Sequence, residues 1–190
     1  SYDASGNPVA IATGSNGQVL TSTGAGSPPA FEAAPAHTGN VAFPATQSAS
    51  GDANTLDDYE EGSWTPVIGG ATNESGQTYG VQSGTYLKIG RTVIVYAKMM
   101  CTTIGTINGV VRVKGLPFTV SSDASVNGSG SVPDWFNLNA TKVFVGCSPI
   151  AGTTQMSMRS LASAAVSSTS MASSDVINNT EIKVNAIYHI

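Results

Sequence analysis

The residues best suited to chemistry form an acidic run, Asp57-Asp58-Tyr59-Glu60-Glu61. Carboxylates at this density could bind calcium or supply the acid/base pair that cleaves a glycosidic bond. The run lacks the alternating Asp, Asn and Gly of a calcium-binding loop. Adjacent carboxylates in an extended chain also point to opposite faces, which makes a poor acid/base pair. We therefore interpret Asp57, Asp58, Glu60 and Glu61 as a turn whose acids are solvated or lie at a subunit interface.

Basic partners for this run can come only from the second half of the chain. Residues 1–87 contain eight acids and neither Lys nor Arg, whereas residues 88–190 contain all eight basic residues and four acids. We expect the acids of the run to pair with basic residues in the same chain or in a neighbouring one. The basic residues considered are Lys88, Arg91, Arg112 and Lys114.

A second candidate site follows a loop that is rich in Ser and Gly. Trp135 and Phe136 offer apolar rings there, and Asp134, Asn137 and Asn139 offer carboxylate and amide groups. Such a combination suits sugar recognition, because a sugar ring has an apolar C–H face and a polar rim of hydroxyls. These five residues are our candidate receptor-binding residues. The alternative is a buried strand position for the aromatics, which the high average burial of Trp favours.

Other catalytic and metal-binding patterns do not occur in the sequence. His37 and His189 lie near opposite ends of the chain, and neither Gly-x-Ser-x-Gly nor a Walker-type Gly-Lys-Ser/Thr occurs. Cys101 and Cys147 form no Cys-x-x-Cys pair, and we interpret them as two buried thiols because free Cys behaves as a small hydrophobe. A single disulfide between them is the alternative. We therefore predict a protein that is not an enzyme and that needs no metal or cofactor.

The composition argues against several classes of protein. Charged residues make up 11% of the 190 residues, well below the average of about 25% in soluble domains. The eight Lys and Arg are spread thinly, which argues against nucleic acid as a partner. No apolar run approaches the ~18 residues of a membrane-spanning helix. The chain contains 24 Ser, 20 Thr, 21 Gly and 12 Asn, a composition typical of turn-rich β proteins and not of helical bundles.

The elements that position the candidate residues are predicted to be short strands. Residues 63–190 contain roughly eight strand-like segments separated by turn residues, which predicts an all-β fold with a β-sandwich or jelly-roll-like head. Residues 91–103 show the strongest pattern. Alternate residues from Val93 to Cys101 share one face, and the other face, which includes Ile94 and Tyr96, is partly apolar. This strand is therefore predicted to be central and covered on both sides.

The first 62 residues are predicted to be an extended connector with short strands and turns. Its apolar pieces, such as Val19-Leu20 and Phe31, are separated by Gly, Asn and Pro and are too short to bury a core alone. A segment of this kind orders most easily by winding with copies of itself from other subunits. A flexible linker is the alternative.

Several sequence pieces resemble the distal part of bacteriophage tail-fibre and related virion appendage proteins. They are Gly17-Gln-Val-Leu-Thr-Ser-Thr-Gly24, Asn54-Thr-Leu-Asp-Asp-Tyr-Glu-Glu-Gly-Ser-Trp-Thr-Pro66, Gly84-Thr-Tyr-Leu-Lys-Ile-Gly90, Gly115-Leu-Pro-Phe118 and the closing Ile187-Tyr188. The piece from Leu56 to Pro66 is the most specific of them. The first piece also occurs in many fibre stalks and is less selective.

The resemblance implies a homotrimeric virion structural protein in which an interwound N-terminal stretch leads to a β-sandwich head. The head would attach to a host cell-surface glycan or outer-membrane protein, and other tail proteins would be further partners. The implied location is the tail fibre, exposed on the particle surface after assembly in the bacterial cytoplasm. Two alternatives are a head fibre or capsid-decorating trimer without a receptor role, and a tailspike domain that depolymerises polysaccharide. No receptor residue carries over by matching, and specificity is expected in residues 121–139 and 148–179.

Overall fold

The computed structural model describes residues 5–8, 10, 15, 18–21, 30–33, 58–123, 125–126, 128–139 and 141–190. The chain divides into two compact units, Ser1–Ala42 and Phe43–Ile190. Every strand pair among the described residues is antiparallel. Apart from a 3-10 turn at Ser173–Asp175, the described residues contain no helix. The predicted all-β class is confirmed.

The first unit contains one antiparallel pair in its described part, β1 (Gln18–Thr21) and β2 (Ala30–Ala33). Leu20 lies directly opposite Phe31, and both side chains are exposed, as is Val19. A two-stranded ribbon is marginally stable by itself in water, because it has no second layer to bury its apolar face against. Winding of this stretch with other subunits stays a prediction.

The described residues of the second unit contain the other twelve strands. They are β3 (Tyr59–Trp64), β4 (Val67–Gly70), β5 (Asn73–Ser75), β6 (Thr78–Ile89), β7 (Thr92–Thr103), β8 (Thr106–Asn108), β9 (Val111–Lys114), β10 (Ser129–Leu138), β11 (Phe144–Pro149), β12 (Gln155–Leu161), β13 (Thr169–Ser170) and β14 (Val176–His189). One sheet has the order β10-β14-β7-β6-β3, and we call it the five-stranded sheet. The second sheet has the order β11-β12-β9-β4, with β13 paired to β12, and β5 pairs with β8.

The two larger sheets contribute to one hydrophobic core, which gives the unit a sandwich-like arrangement. The inner face of β7 supplies alternate residues from Val93 to Cys101, and the second sheet supplies residues such as Ile68, Val113 and Met156. Cys101 and Cys147 are both buried and free, as the sequence predicted. Burial raises the pKa of both thiols, that of Cys147 to about 12.

The prediction that residues 91–103 form a central strand covered on both sides is confirmed for its position and for one face. The strand β7 lies between β14 and β6, and its inner face is buried. Its outer face is not covered in the described chain, since Tyr96 is 56% exposed. Among the described residues, the expected cover on that side is not seen.

Several strands extend beyond the segments that the sequence pattern indicates. The strand β6 begins at Thr78, β10 begins at Ser129, and β14 begins at Val176. Their first residues include Ser, Gly and Asn, which are depleted in strands or neutral there, and these residues pair because a neighbouring strand offers backbone hydrogen bonds. The strand β3 crosses the predicted boundary between residues 62 and 63, so four residues assigned to the connector pair within the sheet.

Candidate functional site

The two groups of predicted site residues lie on the two edge strands of the five-stranded sheet. The acidic run leads into β3 at one edge, and the candidate receptor residues lie in β10 and just beyond it at the other edge. Three strands separate the two edges. The structure therefore makes them two different surfaces.

At the β3 edge, the two sequence pieces with the clearest resemblance are direct neighbours. The strands β3 and β6 pair antiparallel from Tyr59 opposite Ile89 to Trp64 opposite Gly84. In this register Glu60 is opposite Lys88. The motif spacing thus reflects the pairing of two strands.

Asp58 immediately precedes β3 and is used inside its own chain. Its carboxylate forms an ion pair with the Lys88 ammonium, and the two residues are 9% and 3% exposed. Its backbone oxygen accepts a hydrogen bond from the Gly90 amide at 2.7 Å. The Lys88 Nζ also lies 5.1 Å from the centre of the Phe118 ring, within range of a cation–π interaction. The predicted basic partner is confirmed for Asp58, and it comes from the same chain.

Glu60 is held by a tyrosine from the neighbouring strand. The Tyr86 hydroxyl donates a hydrogen bond to Glu60, and this bond together with burial raises the pKa of Tyr86 to about 12. The Tyr86 ring crosses Gly62, where an added Cβ would lie 2.6 Å from ring atoms, so glycine is required for this approach. The same ring meets Phe118 edge-on, with centroids 5.3 Å apart.

We call Asp58, Glu60, Tyr86, Lys88 and Phe118 the motif cluster. Each belongs to one of the pieces that carry the resemblance. Tyr188, from the closing piece, joins it through its hydroxyl, which hydrogen-bonds the Phe118 carbonyl at 3.2 Å. The cluster is built from groups that satisfy one another, which is the behaviour of a structural site.

The other members of the acidic run have different positions. Glu61 accepts a hydrogen bond from the Tyr59 hydroxyl on the outer face of β3. Asp57 lies outside the described residues. Of the other basic residues, Lys114 pairs with Glu74 at 2.5 Å, and Arg112 donates to Gln155 at 2.7 Å. Arg91 donates to the backbone oxygen of Ile190 at 2.9 Å.

At the β10 edge, two of the five candidate receptor residues share an exposed surface. Phe136 is 69% exposed, and the Asp134 carboxylate lies 2.7 Å from the Lys183 ammonium on β14. Asp134 and Phe136 are opposite Lys183 and Glu181 in the β10–β14 register, so they share the outer face. The hydrogen bond and charge of Lys183 hold the pKa of Asp134 below its usual value. We call Asp134, Phe136, Glu181 and Lys183 the β10 surface.

The other three candidates are placed elsewhere. Trp135 lies opposite Ile182 on the inner side of β10 and packs against the core while only partly buried. Asn137 and Asn139 donate side-chain hydrogen bonds, both of 2.9 Å, to the backbone oxygens of Asn178 and Ser174. Alternation along the strand separates Trp135 from its neighbours, and the amides stabilise the end of β10. The structure does not bring the five residues into one site.

Sequence reasoning missed the basic members of this face. Lys98 lies 2.9 Å from Glu181, and with Lys183, Tyr96, Pro133 and Asn185 it lines a hollow of about 350 Å³. The hollow joins residues that are far apart in sequence and meet only through the pairing of β7, β14 and β10. The partly apolar second face of residues 91–103 was the one sequence feature that pointed to this outer surface.

Within the described ranges, no group of three or more His, Cys, Asp or Glu side chains is placed to hold a metal ion. The described part of the chain also contains no helix with the length and apolar character needed to cross a membrane. No family model matches the chain, and the comparison with curated proteins also finds no match.

Proposed function

We propose that this protein is the tip of a bacteriophage tail fibre, a non-enzymatic virion structural protein that attaches to a glycan on the host cell surface. One structural observation supports the proposal. Phe136 is 69% exposed on an edge strand, beside an exposed carboxylate–ammonium pair formed by Asp134 and Lys183. The resemblance of the sequence pieces supplies the virion setting.

The chemistry of this surface fits a sugar. The Phe136 ring can pack against the apolar C–H face of a pyranose, and the contact excludes water from both. The carboxylate of Asp134 accepts hydrogen bonds from sugar hydroxyls, and the ammonium of Lys183 donates to ring or hydroxyl oxygens. Since the two charges already neutralise each other, a neutral glycan costs little to accommodate.

The proposed assembly is a homotrimer with a jelly-roll-like head at the end of the connector, exposed on the virion. Three shallow sites of this kind would each bind weakly. Bound together to a dense array of the same glycan, they would hold the particle by avidity, because each binding event raises the effective concentration of the next. A shallow surface is sufficient for such a mechanism.

Attachment is tested with fluorescently labelled protein on an array of bacterial surface polysaccharides and on a panel of intact bacteria. We expect Phe136→Ala to lower binding at least tenfold while leaving the unfolding transition in place. Val143→Ala is the matched control, because Val143 is also an exposed apolar residue, at 60%, and lies outside the β10 surface. Equal binding by wild type and Phe136→Ala would overturn the assignment of this surface.

The non-enzymatic character is tested separately. Purified protein is incubated with each polysaccharide that it binds, and new reducing ends are measured over time. We expect none, since Asp58 and Glu60 are engaged by Lys88 and Tyr86. Sustained release of reducing ends that is lost in Glu60→Gln would contradict the proposal and favour a depolymerising domain.

A further inference from the structure

We propose that the apolar half of the outer face of the five-stranded sheet is the surface through which copies of this chain pack against one another. The inference rests on the homotrimer in the proposed function and assigns its contact surface. We define the outer-face patch as the residues Leu87, Ile89, Ile94, Tyr96 and Ile187.

The patch is contiguous because strand register brings its members together. Ile94 on β7 is opposite Leu87 on β6 and Ile187 on β14, and Ile89 lies two residues along from Leu87. Tyr96 follows on the same face of β7 as Ile94. The exposed fractions of Tyr96, Ile187 and Ile89 are 56%, 49% and 43%.

Exposure on this scale is unusual for the middle of a sheet. An antiparallel sheet with one face in water normally alternates apolar residues inside with polar residues outside. On β7 both faces carry large apolar side chains, and the neighbouring strands continue the pattern on the outer side. Contiguous apolar surface of this kind marks an interaction site or an aggregation hazard.

The size of the patch fits the centre of an interface between proteins. The whole outer face, with five strands and the ten paired residues of β7 and β14, covers roughly 800 Å² at ~4.8 Å between strands and ~3.4 Å per residue. Its apolar half therefore covers roughly 400 Å². A standard interface buries about 800 Å² on each partner, so the patch supplies about half of one and the polar residues around it supply the rim.

The distribution of charge favours a copy of the same chain as the partner. Charged residues lie around the patch: Glu61 on the β3 side, and the pairs Asp134–Lys183 and Lys98–Glu181 beyond Tyr96. An apolar centre with a polar rim is the usual anatomy of a protein interface. Both rim lysines are neutralised by acids of their own chain, so identical faces can converge around a common axis without repulsion between unpaired lysines.

The shape and chemistry of the patch fit side chains of another protein better than a sugar. Hollows of about 300, 350 and 560 Å³ surround Tyr96, so each copy offers one projecting ring and places to receive one. The other four members are Leu and Ile, which offer no hydrogen bonds to hydroxyls. The outer-face patch is thus assigned to self-association, and the β10 surface is assigned to attachment.

The test measures mass in solution by light scattering of the full chain at several concentrations. We expect wild type to exceed the 19.3 kDa of one chain, and the double variant Tyr96→Thr/Ile187→Thr to have the mass of one chain. Thr is β-branched and keeps the strand propensity of these positions. Val143→Thr, at an exposed position outside the patch, is the matched control and should retain the wild-type mass.

A labelling experiment keeps the inference testable if the double variant does not fold. Thr85 is exposed beside Tyr96 in the β6–β7 register, and both native cysteines are buried. In otherwise wild-type protein, Thr85→Cys should react with a maleimide at least tenfold more slowly than Val143→Cys.

The outcomes separate the two proposals. A wild-type mass of one chain, an unchanged mass in the folded double variant, or equal labelling of the two cysteines would overturn the outer-face interface. Attachment by avidity needs the oligomer, so glycan binding by Phe136→Ala is compared with that of wild type at the same oligomeric mass. Failure of wild-type attachment with the oligomer intact would overturn only the glycan-binding part of the proposed function.

Discussion

The two edges of the five-stranded sheet carry the same kinds of charged residue in opposite environments. At the β3 edge, Asp58 and Lys88 form an ion pair that is almost entirely removed from water. At the β10 edge, Asp134 and Lys183 form a pair whose side chains are about half exposed, at 54% and 42%. The first pair belongs to the motif cluster, and the second lies on the β10 surface with the exposed ring of Phe136.

The role of a carboxylate–ammonium pair therefore depends on whether the pair is buried or exposed. Removing one partner of a buried pair strongly destabilises the fold, because the other charge is left in a medium that solvates it poorly. An exposed pair adds little to stability, since water and salt screen it and either group can exchange its partner for a ligand. The contacts at the β3 edge are therefore structural, whereas the polar groups at the β10 edge stay accessible to water.

The largest effect is expected from Lys88→Met. The substitution removes the ammonium partner of the buried Asp58 carboxylate and should lower the free energy of unfolding by about 3–5 kcal/mol. Urea denaturation at a fixed protein concentration measures it. Lys183→Met is the matched control at the other edge, and a comparable loss there would break the comparison.

An intermediate effect is expected from Tyr86→Phe and from alkaline pH. The substitution removes the hydrogen bond to Glu60 and should cost about 1 kcal/mol at neutral pH. An unfolded phenol ionises near pH 10, whereas Tyr86 and Tyr188 in the folded protein have pKa values raised to about 12. The folded state therefore keeps protons that the unfolded state releases, so stability is complete below pH 10 and declines between pH 10 and 12.

This pH dependence gives a check on the role of Tyr86. Urea midpoints measured between pH 7 and 11 should fall more gently in Tyr86→Phe than in wild type. Tyr59 is not a suitable control, because its hydrogen bond to Glu61 also raises the pKa of its hydroxyl. The control is Tyr96→Phe, which removes a hydroxyl from an exposed ring on β7. Parallel declines in wild type and Tyr86→Phe would show that Glu60 and burial do not hold this proton.

The smallest effect is expected from Asp134→Ala. The pair with Lys183 is exposed, so its removal should leave the urea midpoint unchanged within error and insensitive to added salt. Glycan binding is expected to weaken in the same variant, because a hydrogen-bond acceptor is removed from the β10 surface. A marked loss of stability would show that the β10 edge is structural as well.

The sequence predicted the buried face of the central strand, but it did not predict which of the candidate receptor residues share a surface. The alternation of Val93 to Cys101 identified an inner face that is buried. Sequence reasoning grouped Trp135 with Asp134 and Phe136 because they are adjacent, although adjacent strand residues point to opposite faces. The sequence also suggested Asn137 and Asn139 as receptor-binding residues, but their side chains donate hydrogen bonds to backbone oxygens of the same chain.

The all-β class, the burial of both thiols and the need of the acidic run for a basic partner could be predicted from the sequence. These follow from composition, from a period of two and from a charge imbalance, which are all local or additive properties of the chain. Three other features required the folded chain: Lys88 is the partner of Asp58, Phe136 is exposed while Trp135 packs inward, and the outer-face patch is continuous. Each of these depends on strand order and register, which bring residues from distant parts of the chain side by side.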